Sequence, residues 1–391
     1  MKENTRSLIF CPVSLNKYAG SLKSSLLLTV LSRMRGLIRT LPLRLTKSWP
    51  CSIFALVALV SAVFLFTPAI EAKDSDVQVN MPGIVSGHTM GTVYRVVLPG
   101  TGEEKLAQIR IRIQDLLEEI NRELSVFDPE SQVSLFNRMP AGERLCVSAG
   151  FQEVMRIALK VHSLSHGAFD PTAAPLIDLW GFGEKGFYGQ KPEPQEIAAA
   201  LELVGLDGVH LDESGCLSKE KDGIRLNLSA VAKGFAVDEL AGILEDMGQK
   251  YFLVSIGGDM RARGPKPDGS NWQIGVNRPH PGAGLKDTVK KIEITSGAVA
   301  TSGSYRNFFR SEDKIFSHII DPSTGYPAHE GTVSATVLAD SCILADALAT
   351  ALTVMDSTRG MEIINSLEDI EALIIQMTPD GEYILHKSEG F

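Results

Sequence analysis

The chain has 391 residues, 44% hydrophobic and 22% charged, an ordinary globular composition with room for one large domain or two lobes. Residues 1–50 hold nine Lys/Arg against the single acid Glu3, a surplus of +8, so the net −9 of the whole chain leaves −17 on residues 51–391. A body that acidic argues against a nucleic-acid partner, and any polyanionic substrate has to be held by a local site or a metal.

The basic start leads into an apolar run of 18 residues, IFALVALVSAVFLFTPAI at 53–70, followed by Glu71-Ala72-Lys73. A positive flank, an apolar stretch and a small residue behind it form the pattern of an export signal, with cleavage after Ala72. The run is also long enough to stay as an N-terminal anchor, and its positive flank puts the body outside the cytoplasm. Residues 1–75 are therefore assigned to an export signal or membrane anchor plus linker, and residues 76–391 to the folded domain. Cys51 precedes the apolar run, the wrong side for a lipidated cysteine. Cys146, Cys216 and Cys342 lie in the body without a CxxC pair; they allow at most one bridge, and buried free thiols are the expectation.

Along the body, β-branched and aromatic residues predict a strand over 93–98, led in by Met90-Gly91-Thr92. Residues 104–124 form an amphipathic helix with Leu106, Ile109, Ile113, Leu116, Leu117 and Ile120 on one stripe. LSVFDPESQVSLFN reads as an Asp128-Pro129 turn and a short helix, and a further helix spans 151–166. GAFDPTAAPLIDLWGFG, 167–183, is too rich in Pro, Gly and aromatics for ordinary core and reads as an irregular, functional loop with one short apolar turn. A short helix at 192–203, paired strands at 209–217 and 223–228, and a strand-to-helix passage at 226–244 follow. A buried strand at 250–256 ends in Gly257-Gly258-Asp259; further strands are expected at 272–277, 291–294, 332–338 and 372–376, and a helix at 339–355. Helices and strands alternate without one dominant period, which makes the fold mixed α/β.

The helix at 339–355, ADSCILADALATALTVM, carries a contradiction: Asp346 and Thr350, four apart, share one face of an apolar segment. Such groups are costly to bury without a partner, and hard cations such as Mg²⁺ take oxygen ligands of this kind. The alternative is a surface carboxylate with Thr350 bonded back to a helix carbonyl. Asp340 reads as a cap or surface residue. Asn227-Leu-Ser-Ala-Val-Ala-Lys233-Gly234 stands where a strand passes into a helix, whose N-terminus and Lys233 suit a phosphate; a solvated Lys233 and a capping Asn227 are the alternative. Gly257-Gly258 allows a sharp turn or close approach to a ligand, and Thr301-Ser302-Gly303-Ser304-Tyr305 reads as a loop crowded with hydroxyls. His318 is either a satisfied structural residue or a general base. The absence of GxSxG and HExxH removes serine-hydrolase and zinc-peptidase readings, and GxxxxGK[ST] is absent too.

GHTMGT, LSVFDPES, GAFDPT with LWGFG, SAVAKGFAVD, SIGGD, TSGSYRNFF, SHIIDPSTGYP and ADALAT occur in this order over residues 87–352. Together they resemble the FAD:protein FMN transferase (ApbE) family. The resemblance implies an α+β, two-lobed fold with the active site between the lobes. It implies an exported bacterial enzyme, periplasmic or on the periplasmic face of the inner membrane, that uses Mg²⁺. Such an enzyme cleaves FAD and transfers FMN to a Thr or Ser hydroxyl of a partner protein, releasing AMP. The partner implied is a flavin subunit of a membrane redox complex, such as an ion-pumping quinone reductase or an Rnf-type complex. Carried over by motif, the metal falls to Asp346, Thr350 and the Ala230 carbonyl. The flavin falls to Met90, Phe127, Ala168, Phe169, Asp170, Asn227, Lys233 and Ile320, with the Gly257-Gly258 turn beside them. His318 is the base and Lys233 assists on the phosphates. Three positions depart from the family pattern: Asn227 replaces the common Asp, Phe127 the common Tyr, and Ser255 the Asn that often precedes IGG. The other readings are an FAD pyrophosphatase giving FMN and AMP, and a non-catalytic flavin-binding protein.

Overall fold

The computed structural model describes residues 83–183, 191–280, 282–284, 287–305, 307–311, 314–328, 331–378 and 380–391; the expected export signal or anchor at 1–75 lies outside them. The chain opens with a hairpin of β1 (Ile84–Thr89) and β2 (Thr92–Val97). Its two turn residues, Met90 and Gly91, have φ of 49° and 70°, the pattern of a type I′ turn. Gly adopts that backbone freely, whereas a left-handed Met costs roughly 1–2 kcal/mol. Of this pair the sequence predicts β2 alone, because IVSGHT is broken by Gly87 and lacks a clean alternation.

The predicted amphipathic helix is α1 (Glu103–Leu124), with Leu106, Ile109, Ile113, Leu117 and Ile120 all buried. The turn then leads to α2 (Gln132–Arg138), where the Ser131 hydroxyl accepts from the Ser134 N–H at 3.1 Å. Next come β3 (Leu145–Cys146) and α3 (Ala149–Leu164), capped by Ser148. The irregular 167–183 stretch holds a 3₁₀ turn, Pro171–Ala173, and the short α4 (Ala174–Leu179). It is followed by α5 (Pro194–Leu201), β4 (Val209–Leu211), β5 (Cys216–Lys219) and α6 (Ser229–Asp246). Then come β6 (Phe252–Ile256), β7 (Asp259–Arg263), β8 (Trp272–Asn277), β9 (Thr288–Ile294) and β10 (Gly297–Gly303). The chain ends with β11 (Phe308–Ser311), β12 (Lys314–Ser317), β13 (Thr332–Ala339), α7 (Cys342–Val354), α8 (Ser357–Asn365), β14 (Glu371–Met377) and β15 (Tyr383–Lys387).

Eight strands make one antiparallel sheet in the order β1-β2-β6-β7-β10-β13-β14-β15. Alternate residues serve opposite faces. Ala298, Ala300, Ala372 and Ile374 enter the core beneath α1, α3, α6 and α7. Val299, Leu373 and Ile375 enter a second cluster with Ile274, Val276 and Ile292 of the β8–β9 pair. Burial on both faces is why β14 reads as an unbroken apolar run. A third cluster gathers Leu176 and Trp180 from α4 and its C-cap, Ile197 from α5, Phe309 and Phe316 from the β11–β12 hairpin, and Ile320 just beyond it. Its Trp180 ring lies 5.2 Å from Phe316 and donates through Nε1–H to the Gly325 carbonyl at 2.8 Å. The mixed α/β expectation is met.

Three sequence expectations are corrected. Residues 223–228 are not a strand. The backbone there is satisfied by side chains instead: Asn137 bonds both the N–H and the carbonyl of Leu226, at 2.7 and 2.9 Å. The buried Lys219 ammonium donates to the carbonyls of Phe136, Asn137 and Ile224 at 2.9–3.1 Å. The partner of β4 is β5, flanked on its other edge by β3. Cys146 and Cys216 therefore face each other across β3 and β5 and form a disulfide, so only Cys342 is a free buried thiol among the described residues. Finally, Thr301, Ser302 and Gly303 are the end of β10 rather than a loop.

The disulfide spans 70 residues of sequence, and chain-entropy reasoning assigns such a closure about 4 kcal/mol. Reductant is expected to lower the melting temperature by roughly 5 °C or more. The Cys146→Ser/Cys216→Ser double variant melts at the lower temperature with or without reductant; a native protein indifferent to reductant contradicts the expectation.

Candidate active site

The site begins where α6 crosses α7. Gly234 lies in the middle of α6, where Gly costs about 1 kcal/mol relative to Ala. Its place is explained by the crossing: a Cβ there would sit 2.5 Å from the Cys342 carbonyl oxygen and 2.7 Å from the Ile343 Cα. Four residues on, Asp238 caps α7 from outside, its carboxylate accepting from the Cys342 and Ile343 N–H groups at 3.0 and 2.9 Å. Arg261 of β7 holds that carboxylate at 2.5 Å. Asp340, read as a cap or surface residue, is exposed, and the capping is done by Asp238.

This crossing delivers Asp346, 1% exposed, against α6. Asp346 accepts from the Gly234 N–H at 3.0 Å, and the Lys233 ammonium donates to its two oxygens at 3.2 and 3.1 Å. The same ammonium lies 2.6 Å from Asp259, which is also buried. Asp259 arrives on a tight turn, Gly257 and Gly258 having φ of 61° and 109°, and the Thr301 N–H donates to its other oxygen at 3.2 Å. Burial works against the Lys233 charge, but Asp259 and Asp346 outweigh it and hold the ammonium above its usual range. Asp346 is pushed up to about 7, by burial first and by the Asp259 charge second, with Lys233 and the Gly234 N–H pulling the other way. Two carboxylates thus share one ammonium.

Thr350 stands one turn beyond Asp346, its hydroxyl 3.0 Å from that of Ser302 on β10. Asp346, Thr350, Lys233 and Ala230 line a cavity of about 790 Å³. The same cavity is lined by Met90, Phe127, Ala168, Phe169, Asp170, Asn227, Gly257, His318 and Ile320. Gly258 does not line it; it serves the turn that places Asp259. The cavity also takes in Thr301 and Ser302 of the hydroxyl-rich stretch, and Thr92, Ser229, Asn307 and Phe309, which the sequence does not single out as site residues. Asp259 is a further addition, although its place after two glycines at the end of a buried strand is a usable signal.

Phe127 is 65% exposed on its turn, a broad apolar face at the cavity wall. Asp170 caps the 3₁₀ turn: its carboxylate accepts from the Thr172 N–H and hydroxyl at 2.7 and 2.5 Å and from the Leu206 N–H at 3.3 Å. Asn227 accepts from the Ser229 N–H at 3.0 Å, and its own N–H donates to the Pro171 carbonyl at 2.8 Å, joining α6 to that turn. His318 places Nδ1 3.1 Å from the Asn307 carbonyl. A carbonyl only accepts, so Nδ1 carries the proton and the Nε2 lone pair is left for the cavity. Burial first, and the Lys233 charge after it, keep this imidazole below the usual histidine range and hence neutral at pH 7.

An ammonium between buried carboxylates at one end and aromatic and aliphatic walls around the rest define a site for a ligand with a planar ring and anionic groups. Residues 90–374 match the model of the ApbE family, and the chain belongs to that family. Among its relatives, the FAD:protein FMN transferase of Vibrio cholerae is 37% identical over 300 residues, covering 76% of this chain and 88% of the relative. The FAD:protein FMN transferase of Haemophilus influenzae is 33% identical over 313 residues, covering 78% and 90%. The solved structure of the flavin transferase ApbE from Vibrio cholerae superposes with a TM-score of 0.71 at 35% identity, over 79% of this chain and 97% of that one. The apo form of the Pseudomonas stutzeri flavinyl transferase ApbE gives 0.70 at 31% identity, over 79% and 95%.

Because a Cβ on Gly234 meets backbone rather than a flexible side chain, Gly234→Ala has to push α6 from α7. The expected cost is about 1–3 kcal/mol in urea unfolding, despite the better helix propensity of Ala. An unchanged or higher stability would show that the crossing has slack.

Proposed function

We propose that this chain is a Mg²⁺-dependent FAD:protein FMN transferase, exported from the cytoplasm, that modifies a Thr or Ser of a flavin-carrying subunit of a membrane redox complex. The observation that carries the reading is the joining, in one cavity, of the Lys233–Asp346–Thr350 cluster with a neutral His318 and the exposed Phe127 ring. The residues fit the metal: the Asp346 carboxylate, Thr350 hydroxyl and Ala230 carbonyl are hard oxygen donors. Among the described residues no group of three His, Cys, Asp or Glu forms a cluster of the kind softer metals take. Held by these three oxygens, Mg²⁺ would supply positive charge beside the FAD pyrophosphate.

The chain's own residues account for the rest. Lys233 presents a charge that burial does not remove, facing the phosphates. Phe127 offers its ring for stacking on the flavin, which needs no hydroxyl. Nε2 of His318 takes the proton of the acceptor hydroxyl, whose oxygen bonds to the FMN phosphorus while the P–O bond to AMP breaks. Export is supported by the 1–73 signal pattern and by the Cys146–Cys216 disulfide, a bond that persists in oxidising compartments. The acceptor class is drawn from the family resemblance.

Incubation of the protein with FAD, Mg²⁺ and a candidate acceptor subunit is expected to release AMP and leave FMN on an acceptor Thr, read by mass spectrometry. Asp346→Ala removes turnover. Free FMN without labelled protein would replace the transferase reading by a pyrophosphatase one, and no AMP at all would leave a flavin-binding protein.

A pH dependence follows from Asp346. Its folded pKa of about 7 lies above the unfolded carboxylate value, so its contribution to stability is present below about pH 4 and lost as pH rises toward 7. Mg²⁺ has to displace that proton. The stabilisation by Mg²⁺ in thermal melts is therefore expected to be larger at pH 8 than at pH 6; equal shifts at both would exclude Asp346 as the proton that competes.

A further inference from the structure

Lys233 has two carboxylate partners of different standing. Asp259 is the nearer, at 2.6 Å against 3.1 and 3.2 Å for Asp346. Asp259 is fixed from its own side, by the Thr301 N–H and by the Gly257-Gly258 turn. Asp346 and Lys233 line the cavity and Asp259 does not, so Asp259 stands behind the ammonium, away from any ligand. With both carboxylates ionised, as they are once Asp346 has lost its proton, the three charges sum to −1, and all three groups are wholly or largely withdrawn from water.

We infer that Asp259 is a positioning residue: it keeps the Lys233 ammonium paired when a cation takes the Asp346 oxygens to which that ammonium now donates. The inference rests on reading Asp346 as a cation ligand. With Asp259 present, a dication at Asp346 leaves Lys233 still compensated, and the cluster changes from −1 to +1, the sign that attracts a pyrophosphate. Without it, Lys233 has Asp346 as its one remaining partner, and ammonium and cation compete for the same oxygens. An unpaired, partly buried ammonium beside a dication is the costly alternative. Asp259 thereby sets the affinity of the metal site without touching the metal, by occupying the group that would block it.

The test is a double-mutant cycle on Mg²⁺ affinity, measured by calorimetry on the protein without FAD, with thermal melts to establish folding. Asp259→Asn keeps the shape and removes the charge. It is expected to weaken Mg²⁺ binding about tenfold or more when Lys233 is present, and less than about threefold in the Lys233→Met background, where nothing is left to restrain. Equal factors in the two backgrounds would mean that Asp259 acts only through its field and would overturn the inference, as would undiminished binding in Asp259→Asn. Asp346→Asn separates the two levels. If it binds Mg²⁺ as the native protein does, the cation-ligand reading itself fails. If it loses Mg²⁺ while Asp259→Asn does not, only the positioning role fails.

Discussion

One ammonium shared by two buried carboxylates is the constraint on which the site depends. Lys233 can sit between Asp259 and Asp346 only if two helices and a strand turn meet within a few ångströms. Each meeting point carries a residue that would be a liability elsewhere. Gly234 weakens α6 and lets α7 approach; Gly257 and Gly258 weaken a strand end and let Asp259 turn inward. Asp238 leaves the exposed face of its helix to hold the first N–H groups of α7. These local concessions converge on one spot, as expected where a binding site rather than stability has chosen the residues.

The surroundings divide the labour. The middle of the eight-stranded sheet, β10 and β14, is buried on both faces, which makes β10 a rigid base for the Thr301 N–H and the Ser302 hydroxyl. The wall opposite belongs to a separate cluster around Trp180, which contributes Phe309 and Ile320 to the cavity. The charged end and the aromatic wall therefore rest on different apolar cores. The Asn227 segment joins the first of them through Asn137 and Lys219, whose side chains take the place of a strand partner.

How much of this is legible in the sequence depends on whether the signal is local. The α1 stripe, the α7 helix and the Trp272–Asn277 strand can be read because periodicity is a property of the segment itself. The polar pair Asp346 and Thr350 is visible for the same reason, as a violation of an apolar face. What fails is non-local. Residues 223–228 have strand-like composition, but side chains from far earlier in the chain satisfy their backbone, which no window shows. The disulfide needs two strands to be brought into register. Asp238 as the cap of a helix a hundred residues away, and Asp259 as the nearer partner of Lys233, are facts of packing. The family motifs bridge part of that gap by carrying residues that no spacing connects, and all of them except Gly258 line the cavity.

The Cys146–Cys216 bond has a topological consequence as well. The stretch it closes contains α3, the capped 3₁₀ turn, Trp180 and α5, that is, part of the cavity wall and the Leu176, Trp180 and Ile197 half of the cluster behind it. A peptide bond cut anywhere inside that stretch divides the backbone but not the molecule, since both pieces stay joined through sulfur. The wall is thus tethered at each end independently of its own continuity, an insurance against proteases that the same chain with its thiols reduced would lack.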